Sequence, residues 1–313
     1  MSKFIKHFKQ VYKKDVDLVG GKGASLGEMT NAGFSVPEGF VVTSLAFEEY
    51  LTETDINVEI NAMWKRINIK DIENVEENSE IIRDVILKGK IPKVCADEIV
   101  KNFQKLRAKY VAVRSSATAE DSKIDSWAGE LESYLNTTQR NLINNVKKCW
   151  ASLYTPRALF YRVERKLQVK KVSVAVVVQK MVQSEVSGIC FTVHPITKDK
   201  NQMIIEAGYG LGEAIVGGMI TPDAYVVEKD SLTILDVNIS EQGKMIKWVK
   251  NKNQNIAVPK AKQAQQKLKN SEIIKLSKIA RDIEKHYKSP QDIEWALERG
   301  KLYITQSRPI TTL

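Results

Sequence analysis

Apolar and polar positions alternate with period two over residues 292–309, DIEWALERGKLYITQSRP, and this alternation predicts two strands joined by a tight turn. Gly300 as the last residue of a three-residue loop suits the left-handed position of a bulged hairpin, a register that pairs Glu294 with Ile304 and Asp292 with Gln306. Glu294 and Gln306 then become diagonal neighbours on one face, roughly 7–8 Å apart. Arg308 points the same way. Further strands are expected at about 172–181, 187–193, 202–207 and 223–229. A short one over 110–114 runs into a loop of hydroxyl and acidic residues from Ser115 to Asp121. Helical periodicity marks 45–51, 79–87 and 272–287, and a long amphipathic helix over 139–167 is bent or restarted at Pro156. No internal repeat is visible.

Two stretches carry candidate chemistry besides the hairpin. Val19 to Met29 is a glycine-rich turn with one lysine, Lys22, leading into a helix, where backbone N–H groups and an ammonium can approach a polyphosphate. It fits neither the P-loop, because Val16 stands where the first glycine belongs, nor the dinucleotide fingerprint, because Leu26 replaces its third glycine. An ordinary turn shows the same composition. Arg114, at a strand end before hydroxyls, is a phosphate-facing arrangement. In the hairpin, a carboxylate beside a neutral oxygen suits Mg²⁺, and Arg308 suits a phosphate oxygen; an amphipathic hairpin with a polar outer face reads alike. Gly208 to Glu213 is a second glycine-rich turn, read as a strand-to-helix connection in preference to a mobile cover.

These stretches together resemble the nucleotide-binding part of the phosphoenolpyruvate synthase and pyruvate phosphate dikinase family, which includes rifampin phosphotransferase. The matching motifs include GGKGASLGEM at 20–29, VPEGFVVT at 36–43, VAVRSSATAED at 111–121, SWAGELESYLN at 126–136, SGICFTVHPIT at 187–197 and EAGYGLGEAIV at 206–216, besides the hairpin itself. The resemblance implies an α+β, ATP-grasp fold whose two lobes sandwich a nucleotide. It divides the chain at about 1–182, with the phosphate loop, the strand-arginine motif and a hinge strand, and 183–313, with the second glycine turn and the metal-binding hairpin. It also implies Mg-ATP as ligand and transfer of a phosphoryl group from within ATP to a histidine. Carried over by position, the ATP contacts fall on Lys22, Arg114, Gly129, Ser133, Gln179, Glu294, Gln306 and Arg308. Lys22, Arg114 and Arg308 would neutralise the triphosphate, Glu294 and Gln306 would hold Mg²⁺, and Gly129 would let a loop lie close over the phosphates. Glu130 stands where relatives commonly carry glutamine.

The acceptor histidine is expected elsewhere. His7, His194 and His286 are the chain's histidines, and none has the glycine-threonine-rich setting of an acceptor. A phosphohistidine domain supplied in trans, or further domains of a longer protein, would complete the reaction. A non-catalytic ATP sensor and the ATP domain of an antibiotic phosphotransferase are the alternatives.

Length and composition fit that class. With 313 residues and 43% hydrophobic positions, the chain can bury a core in two lobes. No apolar run of membrane length occurs and the first residues lack the core of a signal peptide, so a soluble cytoplasmic protein is expected. Cys95, Cys149 and Cys190 have neither metal nor disulfide spacing and read as reduced structural thiols. The net charge of +10 is concentrated at 243–271, where eight lysines occur without an acidic residue. Nucleic-acid binding is the rival function that this run suggests. With Trp248 as its aromatic and no nucleic-acid motif, a solvated excursion is the preferred reading, ahead of a dock for an acidic domain.

Overall fold

A computed structural model of the protein describes residues 2–118, 132–164 and 172–311. It comprises two compact units, one of Met1–Asn31 and Glu38–Met181, the other of Ala32–Pro37 and Val182–Leu313. Both combine helices with antiparallel sheet, which makes the chain α+β.

The first unit runs β1 (Ile5–His7), α1 (Val16–Asn31), β2 (Gly39–Val42), α2 (Ser44–Glu53), α3 (Ile56–Trp64), α4 (Ile72–Lys88), α5 (Lys93–Lys105), β3 (Val111–Ala117), β4 (Ser133–Thr137), α6 (Gln139–Ala151), α7 (Pro156–Glu164) and β5 (Val174–Lys180). Its five-stranded sheet has the order β1-β2-β5-β3-β4. Phe40, Val113, Val176 and Val178 of one sheet face join a core with Phe47, Ile82 and Trp150, and Trp150 stacks on Tyr50 at 5.2 Å. The other face lies under α1, so β5 is covered on both sides, and its near-continuous valine run follows from that. Pro156 opens α7 as its first residue, where a missing N–H costs nothing; the expected extension to 167 runs past the described residues.

One expectation here is corrected. β3 does not stop at Arg114 but continues through Ser115 and Ser116 to Ala117, paired with Ala175 and Val176 of β5. Hydroxyl residues normally favour turns because they compete for backbone partners. These two have fixed partners across the fold: Ser115 Oγ donates to Glu132 O at 2.9 Å and Ser116 Oγ to Val19 O at 2.8 Å.

The second unit runs β6 (Val186–Phe191), β7 (Gln202–Tyr209), α8 (Glu213–Val216), β8 (Asp223–Glu228), β9 (Ile234–Asn238), β10 (Lys244–Val249), β11 (Lys252–Ala257), α9 (Lys260–Gln263), α10 (Asn270–Tyr287), β12 (Gln291–Glu298) and β13 (Lys301–Pro309). A six-stranded sheet has the order β13-β12-β6-β7-β8-β9. Helix α10 packs on β12 and β7 through Ile273, Leu276, Ala280 and Ile283, a stripe with helical spacing. The segment 32–37 joins this unit through Ile304 N, which donates to Ser35 O at 2.9 Å.

The lysine-rich stretch is corrected at one position: β10 and β11 form a regular two-stranded hairpin and seven of the eight lysines are exposed, but Lys267 is fully buried. Its ammonium lies 2.8 Å from Asp223 Oδ1 and also donates to Ser240 O. Asp223 further accepts from Ser240 N at 3.0 Å, Lys267 N at 2.9 Å and the Tyr225 hydroxyl at 2.7 Å. All three cysteines are free and buried, and burial pushes the Cys95 thiol up to about 12 and those of Cys149 and Cys190 higher. No helix among the described residues is long and apolar enough to cross a membrane.

Candidate functional site

In the first unit the glycine-rich turn is riveted to β3. Gly20 takes φ +70° and ψ 169°, breaking α1 where a side chain would collide: a Cβ there would stand 2.2 Å from Ser116 Oγ and 2.3 Å from Ser116 O. Ser116 Oγ also accepts from Gly23 N at 3.1 Å, and Lys22 Nζ donates to Ser115 O at 2.9 Å. Gly20→Ala is therefore expected to destabilise the protein by more than about 1 kcal/mol, read as a lowered denaturant midpoint, since the new methyl meets both a positive φ and a clash.

Strand parity then gathers the candidate residues. Val111, Val113 and Ala117 face the core, so Ala112, Arg114 and Ser116 face α1. The register sets Arg114 opposite Ser133 on β4 and Val177 on β5, and Ala112 opposite Gln179. Arg114, Ser133 and Gln179 thus share the sheet face that α1 covers, with Lys22 held to the backbone next to Arg114. Gln179 is buried and Ser133 exposed. Gly129 and Glu130, together with Glu120 and Asp121, lie outside the described residues.

The second unit carries the other candidates on its terminal hairpin, in a register that differs from the expected one. The turn has two residues, Arg299 at φ +49° and Gly300 at φ +73°, the left-handed pair that fits the twist of a tight hairpin. Trp295 pairs with Ile304 and Glu294 with Gln306, because a bulge interrupts β13 at Thr305 rather than at the turn. Glu294 and Gln306 are consequently direct cross-strand partners, and Asp292 faces Arg308.

Arg308 turns toward that neighbour. Its Nε and Nη2 both donate to Asp292 Oδ2, at 2.9 and 2.8 Å. Burial raises the Asp292 carboxyl above its ordinary range; Arg308 opposes the rise and Glu294 adds to it. Glu206 on β7 belongs to the same face, since Ile189 of β6 lies between it and Glu294 in the ladder. Its carboxyl is raised too, by burial first and then by Asp292. Asp292 and Glu206 are the acids that reading the sequence did not single out. Asp292 had a usable signal, as it stands two residues before Glu294 and shares its face by parity; Glu206 is brought there only by tertiary pairing.

Gln306 Oε1 is buried and has no hydrogen-bond partner among the described residues. A buried carboxamide oxygen left unsatisfied is costly. Directly across from a carboxylate, it fits a hard cation that prefers oxygen ligands and keeps waters or phosphates in its remaining positions. The residues present therefore fit Mg²⁺.

The second glycine turn connects β7 to α8, as expected. Gly210, at φ +89°, lies where a Cβ would meet Ile246 O at 2.4 Å, and Ser184 and Ser187 hydroxyls both donate to Gly210 O. The histidines have local roles. His7 Nε2 meets Asn102 Oδ1 at 3.0 Å, His194 Nδ1 accepts from Ile196 N and Thr197 N, and His286 packs edge-on to Phe34 and Tyr287.

Each unit thus carries residue types with a defined chemistry: Lys22 and Arg114 in the first suit phosphate oxygens, and Glu294 and Gln306 in the second suit a hard cation. The chain belongs to the pyruvate phosphate dikinase AMP/ATP-binding domain family, whose model matches residues 16–313. It is 46% identical over 309 residues to a probable phosphoenolpyruvate synthase of Archaeoglobus fulgidus, covering 97% of this chain and 41% of that protein. The phosphoenolpyruvate synthase of Pyrococcus furiosus is 40% identical, covering 99% and 44%, and a rifampicin phosphotransferase of Bacillus cereus is 38% identical, covering 100% and 36%. The chain thus spans less than half the length of these relatives. Among solved structures, a D-alanine-D-alanine ligase from Helicobacter pylori matches 68% of this chain and 46% of its own at 12% identity and TM-score 0.31, too distant a likeness to define the fold.

Proposed function

We propose that the chain is an ATP-grasp unit that binds Mg-ATP and carries out the ATP half-reaction of a dikinase-type phosphotransferase of the phosphoenolpyruvate synthase kind, in which the α–β phosphoanhydride breaks to release AMP, the β-phosphoryl group passes to a histidine, and the γ-phosphoryl group leaves to water as orthophosphate. The observation that carries this reading is the pairing of Glu294 with Gln306, whose oxygen is buried and lacks a hydrogen-bond partner among the described residues. Lys22 and Arg114 bind and orient phosphate oxygens from the first unit, with the Ser133 hydroxyl beside them and Gln179 toward the purine. Glu294 and Gln306 would hold Mg²⁺, which when bound would neutralise phosphate charge. Asp292 holds the Arg308 guanidinium in a fixed orientation, in which it is to bind a phosphate oxygen. Phosphoryl transfer asks mainly for in-line placement and charge stabilisation, so this set needs no protein base.

The β-phosphoryl acceptor is a histidine of another domain or chain. The isolated chain is expected to show slow ATP hydrolysis and no phosphate on His7, His194 or His286, read by mass spectrometry at neutral pH. Adding a phosphoenolpyruvate-synthase histidine domain in trans should yield AMP and a labelled acceptor from ATP labelled at the β-phosphate, with Lys22→Ala abolishing transfer. Phosphate on any of the three histidines would overturn this mechanism. The Bacillus cereus relative supports a second reading, in which the final acceptor is a rifampicin-type drug; assaying both acceptors in the completed system separates the two.

A further inference from the structure

Of the eight lysines between Gly243 and Ser271, Lys267 is buried against Asp223, and the other seven are exposed. Among the described residues, none of those seven is ion-paired with a carboxylate. The same stretch has no arginine and no acidic residue. Protein surfaces ordinarily mix both signs, because a run of one sign repels itself.

The hairpin that displays much of this charge is anchored. Val258 N donates to Gly243 O at 3.0 Å and closes its base. Gln242, fully buried, accepts from Tyr209 N at 2.8 Å and donates to Tyr209 O and Lys244 O, splicing the hairpin to the end of β7. Leu211 N donates to Ile246 O at 2.9 Å, and Asn253 Nδ2 to Glu213 Oε2 at 3.1 Å. By register Ile246, which is buried, and Asn253 share one face, which is therefore the face turned to α8, while the 208–213 turn meets the edge of β10, where a Cβ at Gly210 would stand 3.1 Å from Met245 Cβ. The opposite face sets Met245 against Ile256, Lys247 against Gln254 and Val249 against Lys252, all exposed or half-buried. Lys250 and Asn251, at φ +49° and +62°, form the tip.

We propose that this outer face of β10–β11 is a docking surface for an acidic protein surface that itself presents apolar side chains. Three features favour a protein over a nucleic acid. Lysine is a point charge, whereas arginine is the residue suited to bidentate phosphate contacts. Trp248 lies on the inner face, leaving no aromatic ring outside for a base to stack on. Met245, Val249 and Ile256 gain burial only against apolar groups, which a sugar-phosphate backbone does not offer. Exposed charges around such contacts speed encounter more than they prolong it, so the partner is one that visits and leaves. Through Gln242, Ile246 and Asn253 its arrival bears directly on the glycine turn at 208–213. The proposal stands apart from the nucleotide reading.

The test titrates the whole chain, at physiological ionic strength, with four fluorescently labelled probes: a peptide of alternating glutamate and leucine, poly-L-glutamate, a duplex oligonucleotide, and phosphatidylcholine vesicles containing phosphatidylserine. NMR follows which amides shift. The glutamate-leucine peptide should bind most tightly, with shifts confined to 243–257 and 208–213. K247E/K252E should weaken it about tenfold, as expected for removed steering charge. K70E/K101E, which changes the net charge equally at exposed positions of the first unit, should leave it unchanged. Tighter binding of the duplex or the vesicles, equal weakening by both double variants, no gain over poly-L-glutamate, or no binding at all would each overturn the proposal.

Discussion

Asp223→Ala is expected to cost about 3–5 kcal/mol, the scale for leaving one partner of a buried ion pair uncompensated. The substitution removes the counter-charge of Lys267, whose ammonium is fully buried, and at once strands the Ser240 and Lys267 amides and the Tyr225 hydroxyl. Domains of ordinary stability hold only about 5–15 kcal/mol in total. Asp223→Asn keeps a carbonyl oxygen for some of these donors and should cost less. Lys267→Met should fall between, because three neutral donors still satisfy the carboxylate while the aliphatic stem stays packed. Urea denaturation of the three variants checks the order; a loss under about 1 kcal/mol for Asp223→Ala would show that the pair contributes nothing of consequence.

The second large effect concerns the hairpin. Glu294→Ala should weaken Mg-ATP binding by at least about tenfold, the loss seen even for residues one shell away from a metal, while Glu298→Ala changes it little. Glu294 faces Gln306 across the ladder, whereas Glu298 flanks the turn opposite Lys301. Gln306→Ala should act like Glu294→Ala but more weakly, because it removes a neutral ligand and not a charge. Calorimetric titration with ATP in the presence and absence of Mg²⁺ reads both, and the difference between Glu294→Ala and wild type should vanish without the metal. Equal effects from Glu294 and Glu298 would remove these residues from the metal assignment.

The sequence made the hairpin and its face legible, because period-two alternation needs no tertiary information. It misplaced the register at Glu294 by two residues, one because Arg299 is not a residue that advertises a left-handed two-residue turn and one because nothing about Thr305 marks it as a bulge. Helix α10 and the restart at Pro156 were readable for the same local reason. Ser115 and Ser116 were not, because their hydroxyls are satisfied by Glu132 and Val19, partners that local propensity does not see. Lys267 reads as one more solvated lysine until Asp223, on a strand across the unit, is brought beside it. Among the candidate residues, Lys22, Arg114, Ser133 and Gln179 were named by motif, but their sharing of one side became visible only through strand pairing.

The hydrogen bond from Ile304 to Ser35 makes the second unit discontinuous in the chain. Ser35 leaves the ribosome long before Ile304, so the edge of β13 cannot be completed until everything between them has been made. Such a long-range closure is slow to find and leaves an early segment waiting for its site. A gene fragment starting at Val182 would encode every strand of the six-stranded sheet and still lack the piece that seals its last edge, inviting pairing with another molecule there.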